Sequence, residues 1–385
     1  MALAASQPAT AAYAAVLSGV ATDSDLRLLG YYAWIQDRER LVAGSQLPAT
    51  LKALEATYPS RLAVEKSRLF VAYLAAHALA DWGDAGAPAL TGEELRWARG
   101  RLQEILQDPA QVQANFLDVL YGAHWMYALV AEPADAGAEA LAEVWESTLA
   151  GIREDSGTSA ITRIETLYGT LCLLAARQPD QEPPRRLVSA VRRTVREADR
   201  ATEEPYARMD LFSAAYGALS VAGLYDEAYE FMTREVERSH SPDYIMLALA
   251  DWAQWEGQAS EALSWGHRAW QEAQGPATRF ERGTRYVHML VQLAPEAKVP
   301  IEDTTIALFR EASEAQDAFF LRTTRNMRRL ETYLLEWNVG GVRAPSVARI
   351  RAEVMAICDN IAEDGPSRAT CRTFLAKQSW SEAPI

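Results

Sequence analysis

The sequence predicts an all-α fold, an α-solenoid of stacked helical hairpins, from three observations. First, 49% of the 385 residues are hydrophobic and 23% are charged, and Ala, Leu, Glu and Arg are abundant. These side chains lose little rotamer freedom in a helix. Second, turn residues interrupt the apolar pattern at frequent intervals. Third, a tyrosine motif recurs with a period near 48 residues.

The chain is longer than one ordinary domain of roughly 100–200 residues, so we expect several domains or a repeat array. Clusters of Gly, Pro and Asp separate segments whose apolar residues follow the helical spacing i, i+3, i+4 and i+7. The clusters lie at 83–92, 131–139, 177–185, 274–277, 294–300 and 339–346. The pattern predicts helix, turn and helix throughout.

The repeating motif aligns on Tyr73, Tyr121, Tyr168 and Tyr216, at spacings of 48, 47 and 48 residues. A period of this length holds two helices of about 15–18 residues, and neither buries its apolar stripe without the neighbouring hairpin. Gly follows three of the four tyrosines. We interpret these glycines as points of close helix packing, and we expect the tyrosines to be largely buried.

A shorter repeat follows. The segment "GLYDEA", from Gly223 to Ala228, recurs after 34 residues as "GQASEA", from Gly257 to Ala262. Both resemble the tetratricopeptide repeat, in which Gly ends the first helix and a small Ala packs where the two helices cross. Glu235 departs from the family, which has a small residue at that position. The resemblance implies a right-handed superhelix used for protein contacts.

These patterns divide the chain into four predicted segments. They are an N-terminal segment (1–20), hairpins with a period near 48 (21–204), tetratricopeptide-like hairpins (205–276), and C-terminal helices that end in a hairpin (277–385).

In overall likeness, most of the chain resembles the helical C-terminal region that follows the thioredoxin-like domain in some envelope proteins of Gram-negative bacteria. The residues that carry this resemblance are 238–280 and 358–375. It implies an accessory role in the envelope. The thioredoxin fold itself needs a Cys-x-x-Cys pair, and Cys172, Cys358 and Cys371 do not form one. The chain is therefore not expected to perform redox chemistry alone.

Cys358 and Cys371 lie on either side of the turn "EDGPS". A disulfide across the terminal hairpin is favoured, because antiparallel helices would bring both sulfurs to one level. Free thiols are the alternative, and a metal site lacks the usual additional ligands. A disulfide persists only in an oxidising compartment, so we predict a periplasmic or secreted location, with a cytoplasmic one as the alternative. Cys172 is expected to be inert core.

The net charge of −14, from 38 basic and 52 acidic residues, argues against nucleic acid as a partner. No apolar stretch reaches the roughly 20 residues that span a bilayer, so no membrane insertion is expected. The N-terminus lacks the basic and apolar regions of a complete signal peptide. Its "ALA" followed by "ASQPA" resembles a secretory cleavage site, although an ordinary Ala-rich terminus has the same composition.

Four tryptophans, Trp82, Trp125, Trp252 and Trp255, are candidates to line a groove for a protein or peptide ligand. The alternative is a purely structural role, in which tryptophans fill wide gaps between helices. The rival functional interpretation is an α/α-toroid carbohydrate-active enzyme. It would need aromatic platforms and two carboxylates about 5–10 Å apart.

Arg322, Arg325 and Arg329 follow one helical face and are candidates for an anion or acidic-peptide patch, unless neighbouring Glu residues pair with them. No complete catalytic motif is present in the sequence, and neither a metal nor a cofactor is predicted. The sequence therefore predicts a non-enzymatic protein-interaction module, accessory to an envelope thiol-redox protein. The ligand and the oligomeric state stay open.

Overall fold

A computed structural model describes residues 2–30, 41–78, 89–132, 135–315, 318–362 and 366–376. These residues form twenty α-helices and no β-strand, which confirms the predicted all-α class. Successive helices pack on one another, as in a solenoid. Within the described ranges, no helix is both long enough and apolar enough to cross a bilayer.

The chain forms two compact units. Unit 1 comprises Met1–Thr202 and Ser213–Tyr225, and unit 2 comprises Glu203–Phe212 and Asp226–Ile385. The first eleven helices are α1 (Ala2–Leu17), α2 (Asp23–Leu28), α3 (Leu47–Thr57), α4 (Ala63–Ala78), α5 (Gly92–Gln107), α6 (Pro109–Ala114), α7 (Phe116–Tyr121), α8 (Ala123–Val130), α9 (Ala136–Glu154), α10 (Ala160–Arg177) and α11 (Arg185–Ala201).

The remaining helices are α12 (Ala207–Val221), α13 (Tyr225–Glu235), α14 (Pro242–Trp255), α15 (Ala259–Glu272), α16 (Pro276–Leu293), α17 (Lys298–Ser313), α18 (Arg322–Trp337), α19 (Ala344–Asp359) and α20 (Pro366–Cys371). In unit 2, α14 packs against α15 and α16 against α17, while α16 also contacts α18 and α17 contacts α19. The predicted segment boundaries after residues 20, 204 and 276 stay predictions.

The two turns that resemble the tetratricopeptide repeat share one geometry. Gly223 and Gly257 have φ of 73° and 74°, a left-handed conformation that Gly adopts without strain. After each, the next N–H donates to the carbonyl five residues earlier, at 2.9 and 2.8 Å, which closes the helix end. Ala228 and Ala262 are fully buried. The turn chemistry is as the residues predict, and membership of that family stays a prediction.

The aligned tyrosines lie on equivalent helices of unit 1. The rings of Tyr121 and Tyr168 are 5.4 Å apart between centroids. A Cβ added at Gly217 would meet the Tyr168 ring at 3.2 Å, and one added at Gly169 would lie 2.5 Å from the carbonyl oxygen of Leu120. The glycines are therefore points of close approach, as predicted. Burial is complete for the tyrosine of α4 and partial for the other three.

The terminal cysteines lie on α19 and α20 with their Cα atoms 5.6 Å apart and their sulfurs at disulfide distance. Both are fully buried, and Arg372 donates to Asp359 beside them at 2.8 Å. Cys172 is a buried free cysteine, and burial raises the pKa of its thiol, so the sulfur stays protonated. Its predicted place in the core agrees with this environment.

We expect Gly169→Ala to destabilise unit 1 by about 1–3 kcal/mol, because the new methyl group would collide with a backbone carbonyl that cannot turn aside. Gly151→Ala on α9 is the matched control, since a Cβ there meets no atom within 4 Å. Helix propensity alone makes that control neutral or up to about 1 kcal/mol stabilising. Urea unfolding followed by circular dichroism measures both. Equal effects would show that the close approach is not a constraint.

We expect mass spectrometry of the unreduced protein from its native compartment to find one linked peptide that joins Cys358 and Cys371. In the chain-entropy model a loop of this size stabilises the folded state by about 3 kcal/mol. Cys172 should then be the single thiol that alkylates after unfolding. Three alkylated cysteines would instead return the terminal pair to ordinary core residues.

Candidate functional site

Polar side chains connect three alternate helices of unit 2, which are α14, α16 and α18. Asp251 of α14 accepts a hydrogen bond from Arg285 of α16. One turn further along α16, the His288 ring stacks on Tyr333 of α18 with centroids 3.9 Å apart. Burial, and next the Arg285 charge, lowers the pKa of His288, so the stacked ring is neutral at pH 7. We call this surface the alternate-helix face.

Two large aromatic side chains of α14 are exposed on this face. Tyr244 is 50% exposed and Trp255 is 65% exposed. Asp251 lies two turns after the first and one turn before the second, so the three side chains share one side of the helix. Trp252 is half-buried, with its ring edge-to-face against Trp255 at 5.5 Å and 6.2 Å from Tyr229. Packing thus explains Trp252, whereas Trp255 is turned to solvent.

The arginines of α18 divide into paired and unpaired members. Arg322 donates to Glu281 of α16, so the alternative interpretation, pairing with Glu, is correct for this residue. Arg325 and Arg329 are exposed, and neither forms an ion pair with any described residue. Their helical spacing places them between Arg322 and Tyr333 on the same side of α18. The predicted patch therefore keeps two uncompensated positive charges.

Arg282 and Glu281 of α16 and Asp243 of α14 form an ion-pair network that links these two helices. Arg282 donates to Asp243 at 2.7 Å and to Glu281 at 2.9 Å; Arg282 and Asp243 are buried, and Glu281 is half-buried. Burial opposes the charge of Glu281, but the hydrogen bond from Arg322 and the charges of Arg322 and Arg282 outweigh it and hold the pKa of Glu281 below its usual value. A cavity of about 320 Å³ opens above this network, with Tyr244 in its wall.

A second buried pair joins α12 to α13 within unit 2. Arg208 is 1% exposed and Glu235 is 0% exposed, and the guanidinium donates to both carboxylate oxygens. Arg238 adds a contact to the same carboxylate at 3.4 Å. Sequence reasoning missed this pair. Glu235 was visible only as a departure from the tetratricopeptide pattern, and its partner lies 27 residues earlier.

The buried carboxylates of the described residues are all compensated by a cation. Each of them lies within 4.0 Å of an Arg or Lys, and they are Glu55, Glu65, Glu235, Asp243 and Glu302.

A glycosidase needs one carboxyl of raised pKa facing a second carboxylate. Burial raises the pKa of Asp118, which faces the charge of Arg68. Within the described residues, no group of three or more His, Cys, Asp or Glu is arranged to hold a metal ion.

The four candidate groove tryptophans are found in different surroundings. Trp82 lies outside the described residues. Trp125 belongs to unit 1, where it is half-buried and packs against the core. Trp252 and Trp255 are neighbours on α14. Among the described candidates, Trp252 and Trp255 are therefore the two that lie in contact.

Comparison of the chain with protein-family models, with curated proteins and with solved structures finds no match.

We expect Arg282→Met to lower the free energy of unfolding by about 3–5 kcal/mol, because it leaves Asp243 buried without its compensating charge. Arg325→Met is the matched control: it removes the same group from an exposed, unpaired position and should change stability by less than about 0.5 kcal/mol. Chemical unfolding of both variants provides the comparison. A similar small loss in both would mean that the buried network contributes nothing to unit 2.

Proposed function

We propose that the chain is a non-enzymatic helical-repeat module that binds another protein or a peptide on the alternate-helix face of unit 2. The observation that carries the proposal is the exposure of Tyr244 and Trp255 on α14, together with that of Arg325 and Arg329 on α18. Tyr, Trp and Arg are the residue types enriched at protein interfaces, because each buries a large area and keeps a polar group for orientation.

The contacts between the three helices favour a binding surface that is already formed in the free chain. Asp251, Arg285, His288 and Tyr333 link the three helices, so the side chains of the face are held before a partner arrives. Less conformational entropy is then lost on association, which favours affinity. The uncompensated arginines add a preference for a ligand with carboxylates near its aromatic or aliphatic anchor.

For the cellular context, we propose an accessory role beside an envelope thiol-redox protein. Support comes from the resemblance of residues 238–280 and 358–375 to the helical regions of such proteins. It comes also from Cys358 and Cys371, whose sulfurs lie at disulfide distance and suit an oxidising compartment. A periplasmic or secreted location follows from the same proposal.

The proposal is tested by panning a displayed library of random peptides on the full chain and measuring the selected peptides by fluorescence anisotropy. We expect Tyr244→Ala and Trp255→Ala each to weaken binding at least about tenfold, as truncation of a buried interface aromatic does. Both side chains are exposed in the free chain, so thermal stability should hardly change.

Leu117→Ala is the control variant, because Leu117 is also strongly exposed but lies on α7 of unit 1. It should bind the selected peptides as the wild type does. If both aromatic variants keep wild-type affinity, or if the control loses as much as they do, the alternate-helix face is not the binding site.

A further inference from the structure

Helix α11 of unit 1 has one apolar side and one side dominated by arginine. Val191, Val195 and Ala198 are buried, and α11 packs on α10. Six arginines against Glu197 and Asp199 leave the helix with a net charge of +4, in a chain whose net charge is −14. The arginines are Arg185, Arg186, Arg192, Arg193, Arg196 and Arg200.

The exposed arginines of α11 differ from most other arginines of the chain, which have carboxylate partners. Elsewhere, at least fifteen arginines have a carboxylate oxygen within 4.0 Å. On α11 the exposed arginines have none among the described residues, and they are Arg185, Arg186, Arg193, Arg196 and Arg200. Like charges one turn apart destabilise a helix by a few tenths of a kcal/mol per pair. An acidic ligand would relieve that repulsion.

A shallow, open depression of about 390 Å³ lies between side chains of α11 itself, which are Ser189, Arg192, Arg193, Arg196, Glu197 and Arg200. Positions 189, 193, 196 and 200 recur every three or four residues, so they follow one side of the helix. At 1.5 Å per residue this helix spans about 25 Å, which is long enough for a short peptide segment and short for a polymer.

We propose that the arginine face of α11 binds an acidic segment of a partner protein. Guanidinium groups pair with carboxylates through two parallel hydrogen bonds, and carboxylates spaced one helical turn apart match the arginine spacing. A nucleic acid fits less well. Its affinity depends on many phosphates along an extended strand, and the net charge of −14 repels that strand beyond the patch. The proposal concerns unit 1 and does not depend on the alternate-helix face.

The test uses the full chain and a fluorescent oligoglutamate peptide of about twelve residues, which approaches the length of the face. Anisotropy is measured near 50 mM and near 300 mM salt, because screening weakens contacts between exposed charges. We expect binding at low salt, a loss of at least tenfold at high salt, and a loss of at least tenfold in the double variant Arg193→Glu, Arg196→Glu.

The matched control is Arg96→Glu on α5 with Arg310→Glu on α17, which makes the same change of net charge at two exposed arginines that belong to neither proposed binding face. It should keep binding within about twofold if α11 is the site. Equal losses in the two double variants would overturn the proposal, because they would reflect net charge alone. If the glutamate variant of α11 fails to fold by circular dichroism, Arg193→Gln with Arg196→Gln makes the same comparison.

Two further measurements decide the class of partner. An oligothymidylate with the same number of charges should bind more weakly than the oligoglutamate, and tighter binding would overturn the choice of a protein partner. Sedimentation of the chain alone should show no salt-sensitive dimer that Arg193→Glu and Arg196→Glu abolish. Such a dimer would identify a second copy of this chain as the occupant and overturn the proposal.

Discussion

Close backbone approach between stacked helices is the constraint on which unit 1 depends. At Gly169 the helix comes so near the carbonyl of Leu120 that no side chain fits, and at Gly217 the space is filled by the ring of Tyr168. Each hairpin covers the apolar stripe of the one before it. We interpret the tyrosine spacing as one hairpin per layer, and the period near 48 residues stays a prediction.

Unit 2 joins its helices by a different means. Arg208 with Glu235, and Arg282 with Asp243, place charges where water is excluded, and each charge is costly unless it meets its partner. Our hypothesis is that these pairs select which helices become neighbours, since an apolar helix could slide where a charged one could not. The exposed Tyr244 depends on this order, because the Arg282 guanidinium lies 5.5 Å from the centre of its ring.

The sequence was sufficient for the features that rest on local rules. The left-handed glycines of the two turns and the closeness of the terminal cysteines follow from residue type and position, whereas the layer spacing and the disulfide stay predictions. Features that depend on distant partners were not predictable. Glu235 looked like a family departure because nothing near it in sequence points to Arg208. The unpaired arginines of α11 were readable as a charge run, but only the structure shows that no carboxylate lies beside the exposed ones.

The terminal cysteines have a consequence for local motion. They are 13 residues apart, so a bond between them closes a small ring and leaves the rest of the unfolded chain almost as free as before. Its effect falls on the last hairpin, after which the ring of Phe374 packs against that of Phe309 at 4.5 Å between centroids. An oxidised end frays less, and its amides exchange with solvent more slowly than those of a reduced end. The rate of amide exchange in this one helix pair therefore depends on whether the surroundings are oxidising or reducing.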